Sequence, residues 1–302
     1  MSRVLVVGSV ALDSVRTPFG EVTNALGGSA SFFSVAASYF TDVSLVAVVG
    51  RDFPDELLKI FEQRGVDVTG LEIAQGETFR WSGSYDFDLN NRETHETRLN
   101  VFEEFRPKLP VGYRDAEYVF LANIDPELQM SVLGQVNRPK FVACDTMNFW
   151  IEGKREALLE TISRVDAIVL NDAECRELSL EPNLIKAAHA VLEIGPKIVI
   201  VKKGEHGAMM FTKDDCFSAP AFPCESVYDP TGAGDSFAGG FMGHLARTGD
   251  LSGSNVRRAV VFGTVMASFC VEAFSVRGMS SLDAQAITER SLFLKDISHF
   301  DM

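Results

Sequence analysis

The run Asp229-Pro230-Thr231-Gly232-Ala233-Gly234-Asp235-Ser236-Phe237 constrains this chain more than any other stretch. Two glycines around an alanine let successive backbone N–H groups turn toward one point with no Cβ in the way. Beyond them Phe237, Phe241 and Leu245 recur at i, i+4 and i+8 between Ser236 and Arg247, the spacing of one helix face. The turn is therefore expected at a helix N-terminus, where unpaired amides and the macrodipole favour an anion. An aspartate beside bound phosphate is costly unless it has a task. Accepting the proton of a hydroxyl that attacks phosphorus is such a task. No Gly-Lys-Ser/Thr follows, so the loop is not a Walker A cradle, and it lies too late for a dinucleotide fingerprint after the first strand.

Short apolar runs at 4–7, 44–49, 118–122, 141–144, 167–170 and 198–201 read as buried parallel strands. Between them, 29–39, 54–64, 126–136, 153–163 and 183–192 have helical spacing. That alternation predicts an α/β sheet with helices on both faces. A hairpin at 208–212 and 216–219 follows, and helices dominate from there to the C-terminus.

Hydrophobic content of 46% and charged content of 23% suit a globule with a sizeable core. The formal net charge of −14, from 28 basic and 42 acidic residues, argues against nucleic acid and anionic membranes as partners. The five cysteines, Cys144, Cys175, Cys216, Cys224 and Cys270, are scattered without a Cys-x-x-Cys pair, which points to a reducing, cytoplasmic setting. The apolar run near the N-terminus is too short for a signal peptide. The segment 259–276 carries Gly263, Ser268 and Glu272 and reads as a buried helix rather than a membrane span.

Other polar residues collect where strands end. Gly8-Ser9-Val10-Ala11-Leu12-Asp13 puts Asp13 at the carboxyl edge, where open α/β sheets bind ligands. Its carboxylate can accept hydrogen bonds from two vicinal hydroxyls, though a solvated loop aspartate or Asx-turn fits the same position. Gly27 and Gly28 open the next helical stretch and permit close backbone approach to a ring. Asn171 and Glu174 have the spacing of a capping box. Lys203, Gly204 and Gly207 return the chain after the strand at 198–201, with His206 as a loop residue. Lys203 is a charge partner for an anion or a solvated surface lysine.

In this order, over nearly the whole chain, Gly27-Gly28, Asn171-x-x-Glu174, Lys203-Gly204 and Asp-x-Thr-Gly-Ala-Gly-Asp resemble the ribokinase (PfkB-type) carbohydrate kinase family. The resemblance implies a ribokinase-like three-layer α/β/α fold with a mostly parallel central sheet, a single domain over 1–302. It further implies a small β-lid from about 12–26 and 70–102. Within the second segment, 78–85 and 97–102 alternate like strands around a turn at Asp88-Leu89-Asn90-Asn91, a pattern that ordinary edge hairpins would also show.

Carried onto this chain, the resemblance makes Asp235 the catalytic base and the amides of Gly232, Ala233 and Gly234 its anion hole. Asp13, Gly27 and Gly28 would bind the acceptor, and Lys203, Gly204, Gly207 and Thr231 the nucleotide. The implied cofactors are ATP and Mg²⁺, the metal held through water by Asn171 and Glu174. Asp229 and Thr231 would offer backbone carbonyls to a monovalent cation such as K⁺. A homodimer through the lid is the implied assembly, with a small polyol acceptor and a nucleotide as ligands.

Two positions depart from the family pattern. Phe32 stands where many members have an asparagine four residues after the second glycine, and Ala11 replaces an asparagine upstream of Asp13. Both changes count against ribose itself. Residues 145–150 match the family's Asp-x-Asn-x-x-x-x-Trp region only loosely. The expected reaction is transfer of the γ-phosphoryl group of ATP to a hydroxyl of a small carbohydrate or polyol. The alternatives are a nucleoside, with Phe19, Phe32, Phe79 or Trp81 against its base, and a cyclitol such as inositol. A non-catalytic ligand-binding protein would have no use for Asp235 beside the cradle. A nicotinamide-dependent oxidoreductase would need the Gly-x-Gly-x-x-Gly that the first strand lacks.

Overall fold

Strands that are apolar at every position, rather than at every second one, must be covered on both faces. In β1 (Arg3–Val7), Val4 and Val6 enter one core while Leu5 and Val7 enter another. The computed structural model, which describes residues 2–299, carries that logic through the sheet. The other strands are β2 (Ala11–Thr17), β3 (Gly20–Gly27), β4 (Asp42–Gly50), β5 (Asp67–Ala74), β6 (Arg80–Tyr85), β7 (Arg92–Arg98), β8 (Tyr118–Leu121), β9 (Phe141–Asp145), β10 (Ala167–Asn171), β11 (Ile198–Lys202), β12 (Ala208–Phe211) and β13 (Cys216–Ala219). Nine of them, among the described residues, form one sheet in the order β13-β12-β11-β10-β9-β8-β1-β4-β5. All neighbours from β11 to β5 are parallel; the β12–β13 hairpin is antiparallel.

The helices are α1 (Ser29–Ala37), α2 (Asp55–Gln63), α3 (Pro126–Leu133), α4 (Asn148–Gly153), α5 (Arg155–Ile162), α6 (Asp172–Ser179), α7 (Leu184–Leu192), α8 (Ala233–Thr248), α9 (Gly253–Cys270) and α10 (Ala284–Ile297). Helices α1, α2, α8, α9 and α10 bury side chains such as Phe33, Phe61, Phe241, Val260 and Leu294 on one face of the sheet. Helices α3 to α7 cover the other with Val132, Ile151, Leu158, Leu178 and Val191. The result is the three-layer α/β/α arrangement. The apolar segment from 259 lies within α9 and the turn after it, and among the described residues no helix is long and apolar enough to cross a membrane.

A second, four-stranded sheet has the order β3-β2-β6-β7. Its two antiparallel hairpins leave the chain at separate points and meet along one parallel seam, where Leu12 to Arg16 pair with Arg80 to Ser84. Residues 70–74, expected in this lid, instead belong to β5 and pair with β4. As an edge strand β5 is only half covered, so its sequence lacks the apolar run that would have marked it. Strand β7 likewise sits earlier than 97–102, and residues 100–102 form a short 3₁₀ turn. The small sheet is fastened to the body by Thr17 Oγ1 donating to Tyr228 O (2.8 Å), by Ser275 Oγ donating to Leu26 O (2.5 Å), and by the Arg80–Asp52 ion pair (2.6 Å).

Candidate active site

Gly232 adopts a left-handed conformation (φ 77°) and caps α8, whose first bond runs from Ser236 N–H to Gly232 O at 2.8 Å. A Cβ on Gly232 would lie 2.3 Å from the Phe32 ring, so this turn packs directly on α1. Phe32, buried to 2% exposure, is thus the floor of the turn. Ala233 N–H donates to Pro230 O (3.2 Å), which corrects the expected set of anion donors. The tight turn consumes that amide and leaves those of Gly232 and Gly234 without a partner among the described residues.

Asp235 sits in the first turn of α8, and burial pushes its carboxyl up to about 6 against the pull of Lys202, its own N–H and Arg92. Lys202 Nζ lies 2.6 Å from where Gly234 would carry a Cβ. Strand periodicity explains why this lysine, and not Lys203, reaches the turn: Ile200 faces the α8 side of the sheet, and Lys202 is two residues on. Lys203 supplies backbone to the loop instead, its N–H donating to Gly207 O at 2.8 Å. Sequence reasoning missed Lys202, although counting in twos from the buried strand would have found it.

Asp13 is held on β2 where Gly27 makes room for it; a Cβ there would fall 1.9 Å from its Oδ2. Burial raises its carboxyl to about 7, opposed by the Gly28 N–H and reinforced by Asp229 and Asp235. Asp229 does not point at open space: Thr231 N–H donates to its Oδ1 (2.9 Å) and Ser275 N–H to its Oδ2 (3.3 Å). Its side chain therefore braces the signature turn against the segment after α9. Thr231 Oγ1 donates to Tyr85 OH at 3.2 Å, which brings β6 of the small sheet onto the same turn.

Asn171 ends β10 and caps α6 in a complete capping box: Glu174 N–H to Asn171 Oδ1 at 2.8 Å, and Asn171 N–H to Glu174 Oε2 at 2.7 Å. Glu174 Oε1 has no protein partner among the described residues. Burial raises the Glu174 carboxyl, with Lys202 pulling it down first among its neighbours. Asp145, at the end of β9, is raised well above the usual range by burial and by Asp235, against Lys202, and its Oδ1 is orphaned. Nothing in the residues around Asp145 marks it beyond its place in a loosely matching segment.

Five carboxylates, Asp13, Asp145, Glu174, Asp229 and Asp235, thus share the carboxyl edge of the sheet with Lys202 as the near cation from the body. Arg92, from the start of β7, acts on Asp235, Glu174 and Tyr85 from the small sheet. Among the described residues no three Asp, Glu, His or Cys side chains close on one metal position; the orphaned Asp145 Oδ1 and the open Glu174 Oε1 are oxygen groups that suit a hard divalent cation held through water.

A sequence profile described as pfkB family carbohydrate kinase matches residues 115–282, more than half of the chain. A cytidine kinase of Thermococcus kodakarensis is 30% identical over 255 residues, 82% of this chain and 90% of that protein. An inositol 3-kinase of Arabidopsis thaliana is 27% identical over 282 residues, 89% of this chain and 74% of that protein. A solved structure described as a putative ribokinase II from E. coli in complex with ATP and Mg²⁺ superposes with a TM-score of 0.79 at 18% identity, covering 98% of this chain and 100% of that one; it speaks to the fold alone. The chain belongs to the pfkB family of carbohydrate kinases.

Proposed function

We propose that this ATP-dependent kinase moves the γ-phosphoryl group to a hydroxyl of a small carbohydrate-bearing acceptor, with Asp235 as the base. The observation that carries the reading is half-buried Asp235 at the N-terminus of α8, beside the unpartnered Gly232 and Gly234 amides and Lys202. A carboxyl with a pKa of about 6 is ionised at neutral pH yet basic enough to take a hydroxyl proton as the O–P bond forms. The two amides and Lys202 face the charge that spreads over the transferred group. Asp13 orients the acceptor by accepting from its hydroxyls.

Glu174 Oε1 and Asp145 Oδ1 are the groups that would hold Mg²⁺ through water, and the ion would supply positive charge against that of the phosphates. Asn171 fixes Glu174 from behind. The loop from Lys203 to Gly207, with Thr231, is the nucleotide side. The Tyr85–Thr231 bond fits a sheet that closes over the reacting groups and sheds water, which limits ATP hydrolysis. Five free cysteines among the described residues fit a cytoplasmic enzyme.

Similarity to a cytidine kinase supports a nucleoside as the second acceptor class beside free sugars and cyclitols. ADP release, measured against sugars, cyclitols and nucleosides, tests the reading. Acceptor-dependent release that drops roughly 10²–10⁴-fold in Asp235→Asn is expected. Undiminished turnover in the purified, folded variant would remove Asp235 from the chemistry.

A further inference from the structure

Four aromatic residues stood as candidates to meet a flat ligand, and three of them are committed elsewhere. Phe32 is the floor under Gly232. Phe79 stacks on Phe102 with centroids 5.3 Å apart, and Phe19, half exposed, stands edge-on to Tyr228 at 6.5 Å at the turn between β2 and β3, away from the β2–β6 seam. Trp81 is different. It stands directly beside Asp13 across the β2–β6 seam, and paired residues of parallel strands share a face. Tyr85, two pairs further along the same face of β6, reaches Thr231 of the signature turn, so this face looks into the site.

The indole does not stand up from the sheet. A Cβ on Gly83 would come within 2.4 Å of its six-membered ring, so the ring lies flat along the strand over the glycine. Among the described residues no other aromatic ring covers it. At its edge Nε1 donates to Thr94 Oγ1 at 3.4 Å, and the Arg92 guanidinium lies over the ring face with Cζ 5.7 Å from the centroid.

We propose that the acceptor is a nucleoside, its sugar hydroxyls on Asp13 and its base laid on the Trp81 indole, which makes Trp81 the residue that separates nucleosides from free sugars. This rests on the kinase reading above. Strands are about 4.8 Å apart, so the platform begins one strand beyond the carboxylate that takes the hydroxyls. A free pentose with its hydroxyls on Asp13 has no flat group to offer the indole. A planar heteroaromatic group attached to it supplies one. A base laid on the indole would move Arg92 off the ring face, and Arg92 and Thr94 would then present polar groups to ring nitrogens and carbonyls, which a base has and a simple sugar lacks. The absence of polar side chains at Ala11 and Phe32 is consistent with binding that leans on stacking more than on extra hydroxyl contacts.

The test compares kcat/KM for cytidine, uridine and adenosine with that for D-ribose and myo-inositol, using ATP and Mg²⁺, in wild type, Trp81→Leu, Trp81→Phe and Gly83→Ala. Base–aromatic stacking sets the expected fall in nucleoside-over-ribose preference for Trp81→Leu at roughly 10–100-fold. Trp81→Phe should keep most of the preference, and Gly83→Ala, whose Cβ would press on the indole and on the Glu93 carbonyl, should lose part of it. Without ATP, nucleoside should quench tryptophan emission in wild type and fail to do so in Trp81→Phe, which retains Trp150. Ribose or inositol used as well as any nucleoside would overturn the proposal and leave the kinase reading standing. A nucleoside preference untouched by Trp81→Leu would overturn the platform. No acceptor-dependent ADP release from wild type would instead bring down the kinase reading, and this inference with it.

Discussion

Lys202 Nζ enters the anion turn through the space that Gly234 leaves by having no side chain, 2.6 Å from the position a Cβ would take. The lysine is the last residue of β11 and the glycine the second residue of α8, so the contact joins the sheet edge to the helix dipole. Positive charge from both then converges where a phosphoryl group would sit.

Lys202→Met should lower kcat at least tenfold, whereas Lys203→Met should do far less, because only the first ammonium reaches the turn. Gly234→Ala is the complementary variant. It meets only the flexible end of a lysine, so the fold should persist while turnover falls. Steady-state kinetics of the three proteins decide the matter, and a larger loss at Lys203 would contradict it.

The acid limb of the pH profile follows from Asp235. Its carboxyl, lifted by burial to about 6, must be ionised to act as a base. The acceptor kcat/KM should therefore be flat at alkaline pH and fall about tenfold per pH unit once the pH drops below about 6. A profile that stays flat down to about pH 5 would mean the rate does not depend on this base.

Asp13 gives a stability effect of unusual sign. Its folded pKa of about 7 lies above the ordinary carboxyl value of 3.8, so between those values the folded chain keeps a proton that the unfolded chain has lost. Stability contributed by the neutral form is thus lost as pH rises through that window. Asp13→Asn should melt higher than wild type at about pH 8, by an amount on the order of a few kcal/mol, and no higher near pH 4. Thermal melts at the two pH values measure this. The same substitution should weaken acceptor binding, so added acceptor should narrow the gap.

Glu174 separates two tasks that share one side chain. Glu174→Gln keeps an oxygen for the Asn171 N–H, so α6 should stay capped and the Tm nearly constant. The Mg²⁺ concentration for half-maximal rate should rise by more than the acceptor KM changes. Titration of Mg²⁺ at saturating ATP checks it, and an unaltered requirement would leave Glu174 with the cap alone.

Much of the architecture was legible because burial on both faces writes itself as uninterrupted apolar strands, as in β1, β10 and β11. Edge position hid β5, since a half-covered strand needs no such run. The site was legible where backbone geometry demands particular residues, as at Gly27 beside Asp13 or Gly232 over Phe32. It was illegible where a side chain's direction decides its neighbour. Lys202 and Lys203 are chemically alike, and only the pleat tells them apart. The Ala233 amide looked available until the turn that uses it was seen. Nothing local in Arg80-Trp81-Ser82-Gly83 says that the glycine is a bed for the indole.

The seam between β2 and β6 has a consequence for how such an enzyme diversifies. Asp13 and Trp81 ride on two hairpins inserted into the chain, whereas Asp235, Lys202 and Glu174 belong to the sheet and helices that the hairpins interrupt. On the proposed reading, what is phosphorylated and how it is phosphorylated would be encoded in different segments, joined by contacts such as Tyr85 with Thr231 and Thr17 with Tyr228. Exchange of both hairpins together between relatives would carry taste for an acceptor into a new body without disturbing the engine beneath it. A swap of either hairpin alone would split the acceptor pocket along the seam.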